Sequence, residues 1–81
     1  MMVTVRLFAA AKDLAGADTL AVLLEEPATV FELKRQLGVV CPALIPLLPR
    51  LFVAVNENYV HDAAVIPQGA SIACFPPVSG G

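Results

Sequence analysis

A single amphipathic helix in the middle of the chain limits the folds open to this sequence. Thr29 followed by Glu32 is the pattern of a capping box, in which the threonine hydroxyl accepts a hydrogen bond from the backbone N–H three residues on. Gly38 and Pro42 mark the region where the helix weakens and ends. A helix with one apolar face needs a second layer to pack against. Helical spacing assigns four residues to that inward face: Val30, Leu33, Leu37 and Val40.

Segments with strand patterns lie on both sides of this helix. Before it, residues 3–8 and 19–24 alternate apolar and polar positions, with Val3, Val5 and Leu7 facing the core. The connection of about ten residues between these two strands leaves room for a short helical turn at residues 9–15. Enrichment in β-branched and aromatic residues, bounded by turn residues, predicts three further strands, at residues 51–55, 59–60 and 71–75.

The order of these elements predicts an α+β fold, with a mixed sheet of about five strands packed on one main helix. This is the β-grasp arrangement of ubiquitin-like proteins. A hairpin followed by a crossover helix places the first strand centrally and beside the last strand. The predicted β-grasp domain covers residues 1–75, and residues 76–81 are an extended C-terminal tail. The proline-interrupted stretch 42–49 predicts a packed irregular connection or a short 3₁₀ turn.

The composition is unusually apolar for a domain of this size. Hydrophobic residues make up 58% of the 81-residue chain and charged residues only 15%, against roughly 45–50% and about 25% in an ordinary soluble domain. The longest apolar run, 39–49, contains three prolines and is shorter than the ~20 residues of a membrane-spanning helix. The apolar stretch before Lys12 is too short for a signal peptide, which favours a cytoplasmic location. The excess of apolar residues therefore predicts a surface for a protein partner.

Few residues in this chain could carry chemistry of their own. Cys41 and Cys74 are expected to be free, buried thiols in a reducing compartment. Together with His61 they are too few to hold a structural zinc ion or an iron–sulfur cluster, so neither a metal nor a bound cofactor is predicted. No nucleic-acid partner is expected either, because the basic residues are scattered along the chain, at Arg6, Lys12, Lys34, Arg35 and Arg50.

The C-terminal tail is the most informative segment. Pro76 and Pro77 fix φ and remove two amide donors, which ends the last strand and directs the chain away from the sheet. The six residues 76–81 reach about 20 Å at ~3.3 Å per residue, enough to enter a cleft on another protein. Gly80 and Gly81 lack a Cβ and fit a narrow channel. A frayed chain end is the alternative.

Aromatic residues break the expected pattern of the strands near the tail. Phe8 shares the outward parity of Thr4 and Arg6, and Phe75 shares the outward parity of its own strand. Tyr59, on the short strand, is expected to join them. Exposed together, Phe8, Tyr59 and Phe75 would form a hydrophobic partner interface at the root of the tail. The alternative is that these rings belong to the core.

Three stretches of the sequence resemble the MoaD sulfur-carrier family, the small subunits of molybdopterin synthase. They are the ending Phe-Pro-Pro-Val-Ser-Gly-Gly at 75–81, the opening Val-Thr-Val-Arg-Leu-Phe-Ala at 3–9, and Ala-Val-Asn-Glu at 54–57. The resemblance covers essentially the whole chain, and the length agrees. The complete ending is quite specific, whereas a bare Gly-Gly is shared by ubiquitin-like modifiers and the thiamine sulfur carrier.

The resemblance implies a role for the C-terminal end. An adenylyltransferase related to ubiquitin-activating enzymes would use ATP and magnesium to adenylate the Gly81 carboxylate, and a sulfurtransferase would supply sulfur to make a thiocarboxylate. The tail, formed by Pro76, Pro77, Val78, Ser79 and Gly80, would then insert into the large subunit of the synthase. There the sulfur would pass to cyclic pyranopterin monophosphate. The catalytic side chains would lie on the large subunit, in a heterotetramer of two small and two large subunits, so that this chain is not an enzyme by itself.

Two other functions remain open from the sequence. A sulfur carrier for another pathway, such as thiamine or cysteine synthesis, would have the same terminal chemistry with a different acceptor, although Pro76-Pro77 favours the molybdopterin pathway. A ubiquitin-like binding or modifier domain would keep Gly81 unmodified or link it to lysine side chains of other proteins.

Overall fold

The computed structural model of the chain describes residues 1–77. Five strands form one mixed sheet, and the main helix packs across its inner face. The strands are β1 (Met2–Leu7), β2 (Thr19–Leu23), β3 (Phe52–Val55), β4 (Asn58–Val60) and β5 (Ile72–Phe75). The helices are α1 (Ala9–Ala15) and α2 (Val30–Val40), and two 3₁₀ turns follow α2, at Pro42–Leu44 and Leu48–Arg50.

The sheet has the strand order β2-β1-β5-β3-β4. β1 and β5 run parallel, and every other neighbouring pair is antiparallel. This topology is the β-grasp fold of ubiquitin-like proteins, and it confirms the predicted mixed sheet of five strands. The first strand lies beside the last as predicted, but β5 occupies the middle position because β3 and β4 extend the sheet beyond it. The short helical turn predicted at 9–15 is a second helix, α1.

Alternation along the strands separates a buried face from an outer face. On β1, the side chains of Val3, Val5 and Leu7 are buried, whereas those of Thr4 and Arg6 are exposed. The buried side chains join the apolar face of α2 in one core cluster, together with residues of β2, β3 and β5. Each strand therefore contributes to the core through one set of positions and leaves the other set free for the opposite face.

The N-terminus of α2 is capped as predicted. The backbone N–H of Glu32 donates to the Thr29 hydroxyl oxygen at 3.3 Å. The second half of a capping box is replaced by an ion pair, because the Glu32 carboxylate accepts a hydrogen bond from Arg35 at 3.2 Å. The cap thus satisfies one backbone donor of the first turn, and the glutamate also supports the helix from its side.

The C-terminal part of α2 differs from the prediction at one position. Val30, Leu33 and Leu37 are buried, but Val40 is 48% exposed, so its assignment to the inward face was wrong. The connection, predicted to be irregular or to hold a short 3₁₀ turn, forms two 3₁₀ turns, and these fold back against Gly38 instead. A Cβ at Gly38 would lie 3.0 Å from Leu48 Cδ1 and 3.2 Å from Ile45 Cγ1. This close approach shifts the packed side of the last turn from Val40 to Gly38.

Among residues 1–77, no helix is both long enough and apolar enough to cross a membrane.

The Thr29 cap gives a testable contribution to stability. We expect Thr29→Ala to lower the free energy of unfolding by about 1 kcal/mol, because the Glu32 N–H loses its acceptor in the first turn of α2. Thr29→Ser keeps a hydroxyl at the same position and should stay close to wild type. Equilibrium denaturation in urea, followed by circular dichroism, measures both variants. Equal stability of the alanine and serine variants would contradict the assigned role of the cap.

Candidate functional site

Four aromatic rings meet on the outer face of the sheet and are called the aromatic cluster below: Phe8, Phe52, Tyr59 and Phe75. The rings of Phe8 and Phe75 are stacked, with centroids 4.7 Å apart and an interplanar angle of 9°. Tyr59 meets Phe75 edge to face at 6.1 Å, and it meets Phe52 in the same manner at 6.2 Å. These are the geometries that aromatic pairs prefer.

Strand register brings the four rings together. Leu7 pairs with Cys74 across the parallel β1 and β5 strands, so the next residues along the two chains are neighbouring Phe8 and Phe75. Phe52 lies directly opposite Phe75 in the antiparallel β3–β5 pair. Tyr59 pairs with Ala54, two residues from Phe52, which places the two rings in diagonal contact.

Local backbone conformation fixes the two ends of the cluster. Ala9 adopts φ 52°, a left-handed conformation that is costly for a residue with a Cβ, and it turns the chain from β1 into α1 directly after Phe8. At the other end, Asn56 and Glu57 have φ of 50° and 71° in the turn between β3 and β4. The Asn56 side chain also accepts a hydrogen bond from the Ser71 backbone N–H at 2.9 Å, which ties this turn to the start of β5.

The rings lie at the surface and not in the core. Tyr59 is 71% exposed and Phe52 is 54% exposed, whereas Phe8 and Phe75 are half-buried because they cover each other. The structure therefore places Phe8, Tyr59 and Phe75 together on the face that strand parity predicted. Their use as a partner interface stays a prediction. A contiguous group of exposed aromatic rings is typical of surfaces that proteins bury against partners.

An open groove of about 1140 Å³ runs from the aromatic cluster to the last described residues of the chain. Pro76 and Pro77 form part of its wall and are half-buried. The tail therefore leaves the domain at the groove. The other predicted tail residues, Val78, Ser79, Gly80 and Gly81, lie outside the described residues. Beyond the rings of Phe52, Tyr59 and Phe75, the remaining wall consists of Ala9, Ala10, Leu47 and Arg50.

Comparison with known proteins identifies the family. The family model described as ThiS family matches residues 5–81. The chain belongs to the ThiS family.

Relatives and solved structures extend over the whole chain. A protein of Arabidopsis thaliana named molybdopterin synthase sulfur carrier subunit is 30% identical to this ThiS-family chain over 79 residues, which cover 98% of this chain and 82% of the relative. A protein of the same name from Chlamydomonas reinhardtii is 30% identical over 83 residues, covering 100% of both chains. The crystal structure of SAMP1 from Haloferax volcanii superposes with a TM-score of 0.87 at 28% identity and full coverage of both chains.

Sequence reasoning missed two residues of this ThiS-family site. Phe52 and Ala54 point to the same, outer face of β3. The alternation argument that predicted an outward Phe75 on β5 would therefore have predicted an outward Phe52 as well. Arg50 gives no such signal, because it ends a 3₁₀ turn just before β3 and no period applies there.

The cysteines lie outside the cluster and are free thiols. Cys74 points to the core from β5, and burial raises the pKa of its thiol to about 12, an effect that the nearby Lys34 ammonium only partly opposes. Because the thiolate is the reactive form, Cys74 is a poor nucleophile at neutral pH. His61 is exposed, and residues 1–77 contain no group of three or more His, Cys, Asp or Glu side chains placed to hold a metal ion.

We expect the two thiols to react at different rates. Iodoacetamide at about pH 8 should alkylate the half-buried Cys41 well before Cys74, because Cys74 is inaccessible and its pKa holds it in the thiol form. Mass spectrometry of peptides cut at Arg50 separates the two sites. In denaturant both should react, which serves as the control. Equal rates in the folded protein would contradict the burial of Cys74.

Proposed function

We propose that this chain is the sulfur carrier subunit of molybdopterin synthase. The observation that carries the proposal is the exit of the chain through Pro76-Pro77, at a groove beside an exposed aromatic cluster, toward the ending Val-Ser-Gly-Gly. Two relatives that align with almost the entire chain bear the name of that subunit. A binding face and a glycine-tipped extension are the two parts that a carrier of this type needs.

The terminal chemistry requires activation of the Gly81 carboxylate. A carboxylate is a resonance-stabilised anion that resists nucleophiles, so it first attacks the α-phosphorus of ATP, releases pyrophosphate and forms an acyl-adenylate. A persulfide from a sulfurtransferase then displaces AMP, and a thiol cleaves the resulting sulfur–sulfur bond to leave a thiocarboxylate on Gly81. ATP and magnesium belong to the adenylyltransferase partner, and this chain acts as the carrier of the sulfur atom.

The folded domain and the tail would have separate roles in sulfur transfer. The aromatic cluster would dock on the large subunit, and the tail would reach a distant active site, because six residues in a fully extended conformation span about 20 Å. Pro76 and Pro77 lose little conformational freedom on insertion, since their φ angles are already fixed. The thiocarboxylate sulfur would then pass to cyclic pyranopterin monophosphate beside the catalytic side chains of the large subunit.

Intact mass spectrometry tests the terminal chemistry. After incubation with the adenylyltransferase, ATP, magnesium and a sulfurtransferase, we expect the chain to gain the mass difference between sulfur and oxygen, localised to Gly81 in the C-terminal peptide. Deletion of Gly81 and addition of one residue after it serve as matched variants. Both should lose the mass gain and the transfer of sulfur to cyclic pyranopterin monophosphate, with unchanged thermal unfolding. Retained transfer by either variant would refute the terminal mechanism.

Ring removal tests the docking role of the aromatic cluster. Phe75→Ala and Tyr59→Ala should each raise the Kd for the large subunit and for the adenylyltransferase by about tenfold or more, because each removes a central aromatic contact. Tyr59 is largely exposed, so its loss should leave the fold intact. Phe31→Ala, at an exposed aromatic residue on α2, is the matched control and should bind like wild type. Isothermal titration calorimetry measures the affinities, and unfolding in place of weaker binding would refute the interface.

A second candidate is a protein modifier. The chain superposes on SAMP1 of Haloferax volcanii, which another structure names small archaeal modifier protein 1. A modifier would form an amide between Gly81 and lysine side chains of other proteins, and that amide is stable to thiols and hydroxylamine. Incubation with the adenylyltransferase, ATP, magnesium, a sulfurtransferase and lysine-containing proteins separates the two functions, since a carrier accumulates a thiocarboxylate and a modifier accumulates higher-mass conjugates. Assays with other acceptors likewise test a carrier for thiamine or cysteine synthesis.

A further inference from the structure

The basic residues of this chain fall into two groups. Three of them are neutralised within the domain: Lys12 pairs with Asp18 at 3.0 Å, Lys34 pairs with Asp62 at 2.9 Å, and Arg35 pairs with Glu32 at 3.2 Å. The other two, Arg6 and Arg50, form no ion pair with any residue of 1–77.

Both unpaired arginines border the aromatic cluster. Arg50 lines the groove together with Phe52, Tyr59 and Phe75. On the opposite side, the guanidinium carbon of Arg6 lies 5.5 Å from the centroid of the Phe8 ring. The chain has a net charge of −2, yet the two arginines that pair with no acidic side chain of residues 1–77 lie at the apolar face proposed for docking.

Among residues 1–77, no carboxylate lines the groove beside Arg50. The described residues of its wall are apolar apart from Arg50 and the Tyr59 hydroxyl. Glu57 lines a smaller recess with Arg6, without forming an ion pair to it. When a protein covers this face, the Arg50 guanidinium loses water, which is unfavourable unless a hydrogen-bonding anion replaces that water. The planar guanidinium matches a carboxylate through two parallel N–H donors.

We infer that the protein covering the aromatic cluster presents an apolar centre with an Asp or Glu carboxylate opposite Arg50 and a second acidic side chain near Arg6. The inference rests on the proposed function for the location of the docking face. A second copy of this chain fits poorly, because a two-fold contact through this face would bring in no acidic side chain from the groove. A polyanion such as nucleic acid is also disfavoured by the net negative charge.

Titration of the molybdopterin synthase large subunit with Arg50 variants tests the inference. Arg50→Gln should raise the Kd about tenfold and Arg50→Glu more, because the partner carboxylate then faces a neutral or a negative group. Arg50→Lys should lose less than Arg50→Gln. Arg35→Gln, which removes an exposed cation already paired with Glu32, is the matched control and should bind like wild type.

Salt dependence provides a second readout that folding defects do not mimic. Raising NaCl from about 0.05 M to about 0.5 M should weaken wild-type binding more than binding of Arg50→Gln, since screening acts on the ion pair. Replacing the facing Asp or Glu of the large subunit by Arg should restore binding to Arg50→Glu.

The outcomes separate the two proposals. If the wild-type chain binds the large subunit and Arg50→Gln binds it with the same affinity, the inference is overturned and the proposed function is not. No binding by the wild-type chain overturns the proposed function and the inference with it. Self-association that Arg50→Glu abolishes, or tighter binding to duplex DNA than to the large subunit, would assign the face to a different occupant and overturn the inference.

Discussion

The parallel pairing of β1 with β5 is the constraint on which the site depends. It joins the first and last strands of the chain, and its register sets Leu7 opposite Cys74. One residue further, Phe8 and Phe75 leave the paired segment on the outer face and stack. β5 ends at Phe75 and is followed by two prolines, so the tail begins directly beside the aromatic cluster. A one-residue slip of β5 against β1 would turn Phe75 to the opposite face of the sheet and break its stack with Phe8.

Apolar residues occupy both faces of that sheet. The inner positions pack against α2 in a single core, and the outer positions near the C-terminal end of β5 carry the aromatic cluster. A chain of 81 residues buries a smaller fraction of its surface than a larger domain does, so apolar side chains beyond the core must lie outside. The exposed aromatic side chains Phe52 and Tyr59 are grouped with Phe8 and Phe75 on one face, whereas exposed aliphatic side chains such as Leu14, Leu23 and Val39 lie outside this cluster.

The sequence predicted those features that follow from a local period. Alternation on β1 predicted the outward position of Phe8, and the Thr29 cap located the start of α2. Val40 was misassigned because helical spacing alone placed it on the inward face, whereas the 3₁₀ turns pack against Gly38 and leave Val40 exposed. This contact lies between two segments of different conformation, so no periodic pattern in the sequence predicts it. Arg50 was missed for a related reason: its significance comes from its place in a groove whose wall, as far as residues 1–77 form it, contains no carboxylate, and only the folded arrangement reveals this.

The docking face and the tail are separate parts of this chain, so a partner would bind the face and act on the tail. Pro76 and Pro77 have no N–H groups, so these two residues cannot donate hydrogen bonds that would extend the β ladder. Affinity would then come from the aromatic cluster and the groove, whatever the chemical state of Gly81. An adenylating partner and a sulfur-accepting partner that both reach Gly81 over the same face would exclude one another. Release from the first partner would therefore be a required step before the second can bind.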